Sequence, residues 1–384
     1  MLRTKPTIKH FLPIVNGIAA RKPAGRGGLL RLTVGKQTGK MGETPYQEVP
    51  WMGKRILPAL LLVLLLCGCT QRKQVYQTVF LDVFDTVTTL RGYDVSQQAF
   101  DAQARQVHRM LTEYHNLFDI YTDYPGGLKQ VNDQAGVAPV QVEPPVMALL
   151  KECKNAYTLT EGRVNVAMGS VLRLWHDARK AGLADPAHAA LPAAESLAEA
   201  ARHTAIDSVL LDEAAGTVYL PDGQQRLDVG AVAKGWAAQQ VIRQLPEGYM
   251  LNLGGNVCTR GSKPDGSSWN FAVQSPETAG ENLCVVRLMG QCLVTSGDYQ
   301  RCYTVAGKRY HHIIDPDTCM PGTQWRSVSV LAQDSCLSDC LSTALFLMPL
   351  EQGRALADRL GVEVMWVDAA LHITQTEGFR QAVQ

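Results

Sequence analysis

Asp339 and Thr343 stand four residues apart in an apolar run, Ser338-Asp339-Cys340-Leu341-Ser342-Thr343. On a helix that spacing puts both on one face. A carboxylate among apolar residues needs a partner. Carboxylate plus hydroxyl oxygen suits a hard cation such as Mg²⁺, usually completed by a backbone carbonyl and water. A helix cap with Thr343 bonding back to the preceding turn would read the same way. A second cluster, Leu227-Asp228-Val229-Gly230-Ala231-Val232-Ala233-Lys234-Gly235, opens a helix. Its small residues let backbone approach a ligand, its N–H groups face outward, and Lys234 adds charge. That suits a phosphate, or close helix packing. A third, Thr295 to Pro316, holds a Thr-Ser-Gly-Asp turn, the His311-His312 pair and an Asp-Pro stop, with Ala306-Gly307 at a hairpin tip. It reads as a wall of a polar site or as a surface hairpin. Leu251 to Asn256 is a strand entering a Gly-Gly turn.

These segments need a scaffold. Val75 to Leu90 alternates as two strands about Phe84-Asp85-Thr86, after a polar tether over 69–78. Ser96 to Tyr121 carries apolar residues at helical spacing. Pro144 and Pro145 open a helix through Tyr157. Gly162 to Trp175 passes from loop to helix, and Ala178 to Ala205 reads as a surface excursion. Val209 to Leu220 is a hairpin, and Leu227 to Leu245 runs from loop to helix. Strands follow at Met250–Val257, Phe271–Gln274, Cys284–Leu288, Cys292–Thr295 and Ser327–Ala332. Helices at Ser335–Met348 and Leu350–Leu360 and two strands close the chain. Late-clustered strands among scattered helices predict an α+β fold.

The chain has 384 residues, 46% apolar and 19% charged, so it can bury a substantial core. Net charge is +1, but residues 1–51 carry +7 and the remainder −6, so no basic face for nucleic acid follows. From Met52, Lys54 and Arg55 precede an apolar run, Ile56 to Leu66, too short to span a bilayer, then Leu66-Cys67-Gly68-Cys69. This resembles a lipoprotein signal ending at a lipid-modified Cys69. A signal at Met52 leaves residues 1–51 unexplained, and translation starting at Met52 is the expectation; peptides from 1–51 in the precursor would refute it. Eight other Cys remain, with no C-x-x-C pair, which argues against a zinc site.

Phe84-Asp85-Thr86, the FDIY at Phe118 to Tyr121 with LKQVN after it, EGRVNVAMGSVLRLW from Glu161, LDVGAVAKGWA, LNLGGNV, TSGDYQR, HHIIDP and DCLSTALF occur in one order. Together they resemble the ApbE family, the FAD:protein FMN transferases, over roughly Val79 to Gly353. The resemblance implies ApbE-like, T-fold-related mixed sheets with helices around a flavin cleft, and export as a lipoprotein. Asp339 and Thr343 match the family's Mg²⁺ side-chain ligands, and the carbonyl of Ala231 its backbone ligand. Asp228 and Lys234 match FAD contacts. Phe84 stands where Met is common, Tyr121 matches a cleft aromatic, Gly162-Arg163-Val164 stands at a Gly-Ala-Phe flavin contact, and Ile313 matches another. Arg163, Val164 and Asn165 depart from the usual residues, as does Cys319. The implied reaction moves FMN from FAD to an acceptor Thr or Ser hydroxyl and releases AMP. His312 is the expected base, oriented by Asp315 or Asp298. A Mg²⁺-dependent FAD pyrophosphatase and a non-catalytic exported FAD carrier are the alternatives. The resemblance implies acceptors among subunits of Rnf or Na⁺-pumping redox complexes or extracellular flavoproteins, with the protein on the outer face of the membrane.

Overall fold

The computed structural model describes residues 72–384, so the expected extension, signal segment and Cys69 lie outside the described residues. The chain opens with the hairpin β1 (Gln74–Val83) and β2 (Thr86–Asp94), followed by α1 (Gln97–Phe118), α2 (Leu128–Asp133), β3 (Val140–Gln141), α3 (Pro144–Leu159), α4 (Gly169–Ala184) and α5 (Ala194–Ala201). Next come β4 (Leu210–Asp212), β5 (Thr217–Tyr219), α6 (Ala233–Gln244), β6 (Tyr249–Leu253), β7 (Asn256–Arg260), β8 (Trp269–Gln274), β9 (Asn282–Leu288) and β10 (Cys292–Gly297). The chain ends with β11 (Tyr303–Val305), β12 (Lys308–Tyr310), β13 (Trp325–Ala332), α7 (Ser335–Phe346), α8 (Leu350–Leu360), β14 (Glu363–Asp368), β15 (Ile373–Gln375) and α9 (Glu377–Ala382).

An eight-stranded antiparallel sheet, ordered β1-β2-β6-β7-β10-β13-β14-β15, carries the molecule. Alternation along its strands supplies two apolar faces. One face, with Leu90, Leu251 and Cys258, packs against α1 and α6 through Phe100, Val107, Leu111 and Val241. The other, with Met250, Leu293 and Met365, is covered by the β8–β9 hairpin through Trp269, Val286 and Leu288 and by Phe379 of α9. The largest core joins α3, α7 and α8 to β13 and β14. The architecture is α+β.

Several boundaries differ from the sequence reading. β1 begins at Gln74, so the second half of the expected tether, 74–78, is sheet. Its alternating Tyr76, Thr78 and Phe80 lie on the helix-facing side, whereas Leu81, at 73% exposure, faces solvent. Met250–Val257 is two strands, split because Gly254 and Gly255 adopt φ of +57° and +97°. The Thr-Ser-Gly-Asp segment is no turn: Thr295, Ser296 and Gly297 pair with Ser329, Val328 and Ser327 as the end of β10. The expected excursion starts later, because α4 runs on to Ala184. α9 was not expected from the sequence; it is short, and its one buried side chain is Phe379.

Candidate active site

The tips of β1–β2, β6–β7 and β10, the start of α6 and one face of α7 surround a cleft of about 540 Å³. That is a common size for a small-molecule site. Asp339 projects from α7 and is 4% exposed. Its Oδ2 accepts the Gly235 N–H at 2.7 Å. Its Oδ1 is 3.3 Å from Lys234 Nζ, which also reaches Asn256 Oδ1 at 3.3 Å. This contact exists because α6 and α7 cross at Gly235: a Cβ there would lie 2.4 Å from Asp339 Cβ and 2.5 Å from the Ser335 carbonyl. Close packing is therefore true of this glycine, and it is what brings Asp339 beside Lys234. On α7 the hydroxyls bonding back to the helix are those of Ser338 and Ser342, to the carbonyls of Asp334 and Asp339 at 2.8 and 2.9 Å. Thr343 faces the cleft instead.

The loop before α6 is held at both ends. Asn132, from the LKQVN segment, donates to the Leu227 carbonyl at 2.9 Å and accepts the Leu227 N–H at 2.7 Å. The Asp228 N–H donates to the Val166 carbonyl, and its Oδ1 accepts the Gly230 N–H at 2.9 Å. The surrounding protein pushes the Asp228 carboxyl above its ordinary range, opposed by the Gly230 N–H, Arg301 and His176. Ala231 follows on the cleft wall.

The His pair divides its labour. His311 is buried, donates from Nε2 to the Gly322 carbonyl at 2.8 Å, accepts the Ile313 N–H at Nδ1, and sits edge-on to Phe346. His312 lines the cleft. Enclosure by protein, then the cations Arg301 and Lys234, hold its imidazole well below the usual range, against a backbone contact to Gln300. Neither carboxylate expected to orient it does so. Asp298 binds Arg326 Nε at 2.7 Å, and Asp315 binds Arg163 at 3.4 Å.

Phe84, Tyr121, Arg163, Val164, Asp228, Ala231, Lys234, His312, Ile313, Asp339 and Thr343 all line this one cleft. Gly162 does not. It lies just past α3 at φ +83°, with its N–H on the Tyr157 carbonyl, where glycine relieves a left-handed conformation. Phe84 and Asp85 are also left-handed, at φ 54° and 51°, and make the tight β1–β2 turn at the cleft rim. The Phe84 N–H donates to His115 Nδ1 at 3.1 Å. Sequence reasoning passed over Asn256, Ser296, Arg301, His176 and Arg179, which also line the cleft. The first three lie inside segments already singled out; no local signal marks the last two.

Among the described residues no three His, Cys, Asp or Glu side chains are grouped to hold a metal. A cation here must draw on mixed oxygens. Asp339 Oδ1, the Thr343 hydroxyl and the Ala231 carbonyl are such a set, and they fit a hard cation.

Residues 83–366 match the ApbE family. A relative from Klebsiella pneumoniae (strain 342), an FAD:protein FMN transferase, is 32% identical over 70% of this chain and 82% of its own length. One of the same description from Treponema pallidum (strain Nichols) is 31% identical over 80% of this chain and 89% of its own. Among solved structures, the ApbE protein from Thermotoga maritima superposes with a TM-score of 0.71 at 26% identity, covering 81% of this chain and 100% of that one. The flavin transferase ApbE from Vibrio cholerae, at 23% identity and TM-score 0.68, shares the fold over 81% of this chain and 99% of its own. The ordered motifs, the antiparallel sheet with its helices and the cleft where the motifs meet thus agree with the match along the sequence: this chain belongs to the ApbE family.

Proposed function

We propose that the protein transfers FMN from FAD to a Thr or Ser hydroxyl of an acceptor protein and releases AMP, with Mg²⁺ at Asp339, Thr343 and the Ala231 carbonyl. One observation carries this reading. Groups from the Asp228–Lys234 segment, from α7 and from the stretch after β12 meet in one cleft. Together they supply cation ligands, a lysine and an imidazole. Mg²⁺ bound there would neutralise pyrophosphate charge as it builds up.

The chain's own residues do the rest. Lys234 and the backbone at the start of α6 grip phosphate oxygens. Phe84, Tyr121, Val164 and Ile313 line the wall available to an isoalloxazine ring. His312, neutral at physiological pH, accepts the proton of the acceptor hydroxyl at its imidazole. The hydroxyl oxygen bonds to the FMN phosphorus as the bond to AMP breaks. Arg301 and Lys234 contribute to the low proton affinity of His312. A bound pyrophosphate would offset the charge of these two cations, though not the enclosure that lowers the proton affinity most.

The test combines the protein with FAD, Mg²⁺ and an acceptor domain. Flavin fluorescence on the acceptor band after denaturing electrophoresis is the expected result. FMN and AMP formed with no labelled acceptor would replace transfer by hydrolysis. The same proposal places the protein, through Cys69, on the outer face of a membrane, close to redox subunits or extracellular flavoproteins that carry the acceptor hydroxyl.

A further inference from the structure

Not all the positive charge of the cleft is accounted for by these roles. Arg163 is paired with Asp315 and Asp317 at 3.4 and 2.6 Å, and Lys234 with Asp339 at 3.3 Å. Two more arginines line the cleft: Arg179, half-buried on α4, and Arg301, in the loop after β10. Among the described residues neither lies within ion-pair distance of a carboxylate, and the helix bearing Arg179 packs against β11, just after Arg301. Loss of water around Arg179, and then the nearby Arg301, lower the Arg179 pKa. Neighbouring guanidinium groups with no counter-ion repel each other, and here Arg179 is half-buried while Arg301 is exposed.

The backbone supplies a second observation. Arg301 is held at φ +44°, a left-handed conformation that strains a residue with a side chain. The loop thus keeps a strained residue facing the cleft beside a second unpaired cation. Both arginines line the cleft. Arg301 is among the charges acting on His312 and Asp228. Arg179 acts on Tyr121 and His176, whose ring centroids lie 5.2 Å apart with the planes tilted by 32°.

Resting on the FMN-transfer reading, we propose that Arg179 and Arg301 clamp the adenylate-side phosphate of the FAD pyrophosphate. Lys234, the Asp339 cation site and His312 already surround the position where the FMN phosphorus is attacked. Arg179 continues the positive charge outward from Arg301 towards Tyr121. As the phosphorus–oxygen bond to AMP breaks, its electron pair stays with the AMP phosphate, which gains a negative charge. Two planar guanidinium forks match that phosphate and stabilise it as it leaves. The sequence gives AMP recognition no other arginine pair in this cleft, since Arg163 is already engaged by two carboxylates.

Binding without acceptor tests this apart from the chemistry. The full chain, with Mg²⁺, is titrated with FAD, FMN and AMP by flavin fluorescence and calorimetry. Wild type is compared with Arg179→Ala, Arg301→Ala and the two Arg→Lys variants, each checked by thermal melting. Each Ala variant should lose about ten- to a hundred-fold in affinity for FAD and for AMP while FMN stays within about twofold. The Lys variants, which keep charge and bulk, should recover part of the loss. Unchanged FAD affinity in both Ala variants overturns the clamp. So does an equal loss for FMN, which would put the pair on the FMN phosphate, and so does a rise confined to the acceptor KM. A wild-type protein that binds no FAD would instead remove the FMN-transfer reading itself.

Discussion

Asp339 and His312 decide most of what this cleft can do, and they are tuned differently. Asp339 Oδ2 is occupied by the Gly235 N–H, and its Oδ1 is held by Lys234 at 3.3 Å, so a cation would share that oxygen with the lysine. Asp339→Asn keeps that backbone bond and removes the charge. Transfer should fall by about a hundredfold or more, with a higher Mg²⁺ requirement in a metal titration. Thr343→Val should raise the requirement less, because it removes a neutral ligand. For His312 the sign follows from its depressed pKa. The folded state holds the imidazole neutral, whereas the unfolded chain protonates it near 6.5. Stability from this residue is therefore present above pH 6.5 and is lost as pH falls below it. Melting of ligand-free protein at pH 7.5 and 5.5 should show a smaller acid loss in His312→Asn than in wild type. The same variant should lose turnover while FAD affinity stays near normal; unchanged turnover would remove His312 from the proton transfer.

At the scale of elements, the crossing of α6 and α7 is the critical joint. Gly235 permits it, and the crossing brings the Asp339 carboxylate to the Lys234 end of the loop. Gly235→Ala should cost about 1–3 kcal/mol in denaturant unfolding, because neither the Ser335 carbonyl nor Asp339 Cβ can retreat cheaply. It should also weaken Mg²⁺ dependence by displacing Asp339; unaltered stability would show that the helices can slide apart. A second joint holds the loop after β10. Arg326 on β13 reaches Asp298 at 2.7 Å, Glu277 at 2.8 Å and the Pro276 carbonyl at 3.1 Å. That network anchors the segment bearing Arg301. It also explains why Asp298, in the same Thr295–Pro316 stretch as the His pair, has a structural partner instead.

For the whole molecule, the sheet order fixes where the cleft lies. β1–β2, β6–β7 and β10 are neighbours, so their turns Phe84–Thr86 and Gly254–Asn256 and the Thr295–Gly297 strand end share one rim. No described helix is long and apolar enough to cross a membrane. If Cys69 carries the anchor, Cys69→Ser should move the protein from the membrane to the soluble fraction without altering FAD binding. Retention in the membrane fraction would refute lipid attachment at that residue.

The residues of the cleft were legible in the sequence because ligand chemistry restricts residue type. A carboxylate and a hydroxyl four apart on a helix, small residues before a lysine, and a His pair before Asp-Pro each carry a local signal. Helix and strand positions were legible through periodicity, as α1 and α8 show. Contacts across the chain were not. Only the folded structure separates His311, tied to the Gly322 carbonyl and Phe346, from His312, which faces the cleft. Only there do Asp298 and Asp315 prove to be taken by arginines, and only there does Gly162 fall outside the cleft. Arg179 has no motif around it. It becomes a cleft residue because α4 runs beside the loop that carries Arg301, and long-range packing, which leaves no local trace in the sequence, decides that.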